Sequence, residues 1–228
     1  MALTYDDIAQ EFKDKVNNDP TVQKLFKTIR NGNGTYKTAN KLAIRIGEDL
    51  GKVLKTHNPI DGIDEWDYVD LLPKALGLDH QIIVDACRDV QNSLNKKSGL
   101  GIKYFEPDFN MNRVNGLIDE LRNNPEFVNI EKSFYDQLVN FSENVVDDSI
   151  RDNVGILYRS GIRTMVIRRA EFNGCPWCKE IEGAYDYRTV SDSGNDVWRR
   201  HENCRCTIDY ITERESGFYS ERVNNQKK

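Results

Sequence analysis

GCPWCKEIEGAYDYRTVSDSGNDVWRRHENCRCTIDY, residues 174–210, holds four of the five cysteines of a 228-residue chain and decides how its last quarter is read. Cys175-Pro-Trp-Cys178 is followed, after 22 residues, by His201-Glu-Asn-Cys204-Arg-Cys206. Two thiols separated by two residues approach one tetrahedral centre from a single tight turn, and a second clip from a distant segment completes four ligands. If residues 204–206 are extended, the two-residue period of a strand puts Cys204 and Cys206 on one face and Arg205 on the other. Ligation by four cysteines, or by three cysteines and the histidine, drawn from Cys175, Cys178, His201, Cys204 and Cys206, is open on this spacing. A structural zinc would have a clear use, because short strands with few apolar residues do not fold without a staple. Two disulfides, or four reduced thiols in a small core, are the alternatives, and synthesis in the cytoplasm disfavours the first.

Working outward, the flanking segments AYDYRTV and CRCTIDYI alternate in a way that favours strands, punctuated by Gly174, Pro176, Gly183 and Gly194. Upstream the signals are helical. Asp19-Pro20 reads as an N-cap with proline at the first helical position, ahead of Val22, Leu25, Phe26 and Ile29. NGNG, residues 31–34, marks a turn. Ala39, Leu42, Ala43, Ile46, Leu50, Val53 and Leu54 then form one face of a long helix. After the loop at 57–66, helices are expected at Tyr68–Leu76 and from His80 to about Asn95. The second of these buries Cys87 as an inert packed thiol. Residues 96–112 break the pattern and bring Ile102, Tyr104, Phe105 and Phe109 together on a loop suited to docking on a partner or on the chain's own core. Helix resumes at Val114–Arg122 and, after Asn123-Asn124-Pro125, runs from Phe127 to about Arg169, with an interruption near Asp152 or Gly161. The tail from Glu213 is polar and frayed.

The fold class that follows is α+β: an α-helical region at 1–149, a small cysteine-clipped α+β domain at 150–211 and a polar tail at 212–228. Residues 1–150 carry 18 Lys/Arg against 25 Asp/Glu, a net −7, whereas 151–228 carry 14 against 12, a net +2. A general nucleic-acid-binding domain would be strongly basic. The one local basic run is Arg159, Arg163, Arg168 and Arg169, which suits phosphate groups of DNA or acidic partner groups, or a solvated helix face. No stretch approaches the roughly 20 apolar residues of a membrane-spanning helix, and MALTYDDIAQEF lacks the features of a signal peptide. The expectation is a protein made in the cytoplasm with no membrane partner.

Two enzymatic readings compete with a staple. A thioredoxin-like role for CPWC needs its first cysteine at a helix N-terminus after a strand of a βαβ unit, whereas the motif is expected here after a helix. Zinc-clipped ββα-metal nucleases pair CxxC clips with a histidine that activates water, and Arg199, Arg200 and His201 stand beside this clip. The sequence nevertheless offers only three histidines and no evident second ligand for a catalytic cation.

GIRTMVIRRAEFNGCPWCKEIEGAYDY (161–187) followed by RRHENCRCTIDY (199–210) resembles the C-terminal domain of the Mu F-like minor head proteins, or head-morphogenesis proteins, of tailed bacteriophages. That domain combines an Arg-Thr, here Arg163-Thr164, a CxxC with a following glycine, here Cys175, Cys178 and Gly183, and a closing His-Pro-Asn-Cys-Arg-Cys. Glu202 replaces the proline. The upstream stretch LNKKSGLGIKYFEPDFNMNRVNGLIDEL (94–121) is similar to the segment preceding this domain in head proteins of phages of Gram-positive bacteria. The resemblance implies a non-enzymatic minor structural protein of the virion head, assembled in the host cytoplasm. It would be associated with the portal or the major capsid protein, close to packaged DNA, and act in head assembly, DNA packaging or DNA delivery. It supplies no catalytic residues. A metal-dependent nuclease or effector carried with the phage DNA is the alternative.

Overall fold

The computed structural model describes residues 5–56, 65–124, 130–192, 194–201, 203–215 and 218, with the backbone alone for 65–68. Residues 57–64 of the loop expected at 57–66, Phe127 and Pro125, Glu202 and the tail beyond 218 lie outside the described residues, and 65 and 66 already belong to a helix.

Helix α1 (Tyr5–Asn18) buries Ile8, Phe12 and Val16, spaced four apart on one stripe. Asp19 then caps α2 (Pro20–Thr28), its Oδ1 accepting from the backbone N–H groups of Thr21 and Val22 at 2.7 and 3.1 Å. A π-helical turn at Ile29–Asn33 starts two residues before the turn read from NGNG. It leads into α3 (Tyr36–Thr56), where every apolar residue assigned to the inner face is buried.

The two helices expected between 68 and 95 are one, α4 (Glu65–Lys97), with Pro73 inside it. Proline removes one helical hydrogen bond, but Leu72, Ala75 and Leu76 before the expected break and Ile83 and Val84 after it enter the same core. Burial of both halves outweighs the local penalty. Residues 100–110 lack regular structure and dock on the chain's own core. Asn153 brackets Phe105, accepting from its N–H and donating to its carbonyl, both at 2.8 Å. Phe109 lies edge-on between His80 and Phe141, while the Phe105 ring itself is exposed.

Helix α5 (Met111–Asn123), capped by Asn110, covers α6 (Glu131–Arg159). The expectation of helix to about Arg169 is corrected: α6 ends at Arg159, and Gly161, at φ 84°, takes the left-handed position that turns the chain. Residues 164–169 are instead strand β1 (Thr164–Arg169), of which only Arg169 is exposed. A short strand buried on both faces carries the same continuous apolar run as a buried helix segment, so periodicity does not separate the two. β1 is the centre of an antiparallel sheet between β2 (Gly183–Asp186) and β3 (Thr207–Thr212), with Val166 opposite Tyr185 and Tyr210.

The sheet's inner face, with Val166 and Ile208, joins the helical core, and Met165, Ile167 and Ala184 pack with Phe218 on the other. One hydrophobic cluster therefore runs from Ile8 to Ile208. The boundary drawn at 149/150 falls inside α6, whose first part crosses α3 closely. A Cβ at Gly47 would stand 2.9 Å from Cα of Val139, so glycine sets how near the two backbones come. Asp79, fully buried on α4, meets the hydroxyl of Ser142 on α6 at 3.0 Å.

Candidate metal centre

β1 leads through a turn closed by Gly174 N–H on Glu171 O to Cys175, the N-cap of helix α7 (Pro176–Glu180). The Cys175 Sγ accepts from the N–H of Cys178 at 3.4 Å, so the CPWC segment is one capped turn with both sulfurs on the same side. The return segment is closed by Cys204 N–H on His201 O at 3.1 Å, with Asn203 at φ 57°. Asparagine is among the few residues that tolerate that left-handed conformation, which gives it a backbone role within HENCRC. Cys204 and Cys206 both turn inward ahead of β3, and Arg205 takes the opposite side, as the two-residue period predicts.

All five donors come together. Cys175, Cys178 and His201 place their ligand atoms within 4.8 Å of one another, as do Cys178, Cys204 and Cys206, so that Cys178 belongs to both sets. His201 Nε2 lies 2.9 Å from Cys178 Sγ and 3.2 Å from Cys175 Sγ, and the Cys178 and Cys204 sulfurs are 3.8 Å apart. All of these cysteines are free. A tetrahedral zinc, with Zn–S of about 2.3 Å and Zn–N of about 2.0 Å, has S···S edges of about 3.8 Å and S···N edges of about 3.5 Å. The sulfur pair matches and the histidine stands somewhat closer. Soft sulfurs with one imidazole are also a donor set that suits zinc. The cluster could thus hold a metal ion.

The surroundings polarise the sulfurs differently. Burial raises the Cys178 thiol. A hydrogen bond from Cys206, with the charges of Arg200 and Arg168, pulls Cys204 well below the usual thiol range, and the same hydrogen bond and burial push Cys206 up. Trp177 lies edge-on to His201 at 5.7 Å and screens one side.

A buried ionic cluster, unforeseen in the sequence, attaches this centre to the helices. Arg200 forms a two-pronged pair with Asp147 at 2.6 and 3.0 Å, and also donates to Glu143 at 2.9 Å, to the Cys206 carbonyl at 3.0 Å and to Asn40 at 3.1 Å. Asn40 in turn donates to Glu143, and Arg205 reaches the second Glu143 oxygen at 3.1 Å. Burial raises the Glu143 carboxyl to about 7 against the opposing pull of Arg200 and Arg205. Asn140 adds a bond to the His201 carbonyl at 3.0 Å. A signal was present: carboxylates at 143 and 147 are four apart on a helix, hence on one side of it, and Val145 and Val146 lie between them.

The four arginines proposed as contacts do not share a face. Arg159 ends α6 and is exposed, and the turn at Gly161 separates it from Arg163, which is exposed with its guanidinium 5.8 Å over the Phe218 ring. Arg169 is exposed at the end of β1. Arg168 is corrected outright: it is fully buried, because it follows Val166 on the sheet's inner face. Cys87 is buried on α4 and its thiol is pushed up to about 12 by that burial, as an inert core thiol should be.

Comparison with protein-family models, curated proteins and solved structures finds no match to the chain. No helix among the described residues is long and apolar enough to cross a membrane.

Proposed function

We propose that Cys175, Cys178, His201, Cys204 and Cys206 supply the ligands of a structural zinc, and that the chain is a minor structural protein of a tailed-phage head. The observation that carries this reading is the convergence of CPWC and HENCRC donors around Cys178. These are the same residues on which the resemblance to Mu F-like head proteins rests. His201 Nε2 within 3.2 Å of two sulfurs occupies a ligand's place rather than that of a base for water, which favours a staple over a nuclease. The partners would be the portal or the major capsid protein, with exposed Arg159, Arg163 and Arg169 available to packaged DNA, in a virion assembled in the host cytoplasm.

Mass spectrometry of DNA-filled heads purified from the encoding phage tests the assignment: the chain is expected there in few copies, and heads complete without it overturn the reading. Elemental analysis of the reduced, folded protein tests the metal. Zinc below about half an equivalent rejects it.

A further inference from the structure

Arg168 presents a charge problem that a cluster of neutral donors does not solve. Its side chain is fully buried on β1. Nη1 donates to the Val197 carbonyl at 2.6 Å, Nη2 points at Cys204 Sγ at 3.6 Å, and Nε has no partner. The guanidinium centre lies 5.7 Å over the Trp177 ring. Among the described residues no carboxylate stands within ion-pair distance of it, in contrast to Arg200, which holds two.

A guanidinium does not shed its proton in a protein, and burying one without a counter-ion costs several kcal/mol. Fold and sheet register nevertheless place this cation against the donor cluster. A divalent ion with three thiolates and an imidazole carries a net −1, and with four thiolates a net −2. Either centre would meet the charge of Arg168, whereas a cluster of protonated thiols would not; the same charge already draws Cys204 toward its thiolate.

We propose that Arg168 is the resident counter-charge of the metal centre, a positioning residue whose N–H group on the Cys204 sulfur keeps that sulfur in the ligand set. The proposal rests on the metal reading above. Of the five donors, it commits Cys204 together with Cys178, whose sulfurs already stand at a tetrahedral edge. Partners that donate to ligand atoms orient the ligand and tune its electron density, and their loss costs about 10–100-fold in metal affinity.

The experiment uses the full chain under reducing conditions, with Zn²⁺ affinity read by chelator competition and Co²⁺ substitution read by absorption. Arg168→Gln is expected to weaken Zn²⁺ binding by about tenfold or more. It should also move the sulfur-to-cobalt charge-transfer band to longer wavelength, because a sulfur without its N–H donor gives up electrons more readily. Arg168→Lys keeps the charge, should recover part of the affinity, and remains a test if the glutamine variant does not fold. In a Cys204→Ser background the Arg168→Lys effect should largely vanish. Wild-type affinity and an unmoved band in a folded Arg168 variant overturn the assignment alone. Failure of the wild-type chain to bind Zn²⁺ or Co²⁺ overturns the metal reading and the assignment with it.

Discussion

The helical body and the cysteine clip are held by different means within one continuous core. α1 to α4 bury rows of Ile, Leu, Val and Phe, and their inner faces follow the helical period almost residue by residue. The segment from Cys175 to Cys206 has little of that. Besides Tyr187, Val190, Val197 and Trp198, which it lends to the common core, its inward-facing groups are sulfurs, an imidazole and Arg200, whose anions lie on α6. The body tolerates changes that keep volume and polarity pattern, whereas the clip depends on charge balance, which a single substitution undoes.

The sharpest way to break that contrast is Arg200→Met. It leaves Asp147 buried without its cation and Glu143 with Arg205 alone, and a loss of about 3–5 kcal/mol is expected in denaturant unfolding. Arg205→Met, about a quarter exposed (24%) and sharing Glu143 with Arg200, should cost about 1 kcal/mol or less. Equal losses would mean that the buried network is not what couples the two regions.

A smaller effect concerns Asp79, the one carboxyl among the described residues that the body fully buries without a cation. Burial raises Asp79 from 3.8 to about 8, against the hydrogen bond from Ser142. In the unfolded chain it ionises near its ordinary value, so the folded state binds the extra proton between those limits. The stability it contributes is complete at about pH 4, declines as pH rises and is gone above about pH 8. Asp79→Asn should therefore gain on wild type as pH rises, reaching about 1–3 kcal/mol by pH 8 with no difference near pH 4. Thermal melts across that range that run parallel would contradict a neutral Asp79. A modest effect, about 1 kcal/mol, is expected for Asp19→Ala, which removes the α2 cap and a half-exposed pair with Arg45. A matching fall in melting temperature, with α3 undisturbed, is the measurement.

How far each region could be read in the sequence follows the same division. The inner face of α3 and the Asp19-Pro20 cap were legible because helix period and capping are local chemistry. The five donors were legible because their spacing is. The break expected in α4 between Leu76 and His80 and the helix drawn through β1 were misread for one reason: tertiary burial settles both, and neither local propensity nor period carries it. Arg168 was misplaced through the same error, since a helix face would have exposed what a strand's inner face buries. The Arg200 cluster, assembled from residues 40, 143, 147, 200 and 205, joins segments up to 160 positions apart, and nothing local pairs them.

Helix α6 gives the chain an internal ruler. Leu138 and Phe141 serve the body, while Glu143 and Asp147 receive Arg200 and Arg205 from the clip. Each residue inserted into a helix advances it by about 1.5 Å and turns everything beyond by about 100°. A single insertion between Phe141 and Glu143 would swing both carboxylates away from the arginines, and with them the anchor on which CPWC and HENCRC rest. The irregular stretch at 100–110 bears no such phase relation, so length variation among related chains should gather there and spare the helix that sets the clip's azimuth.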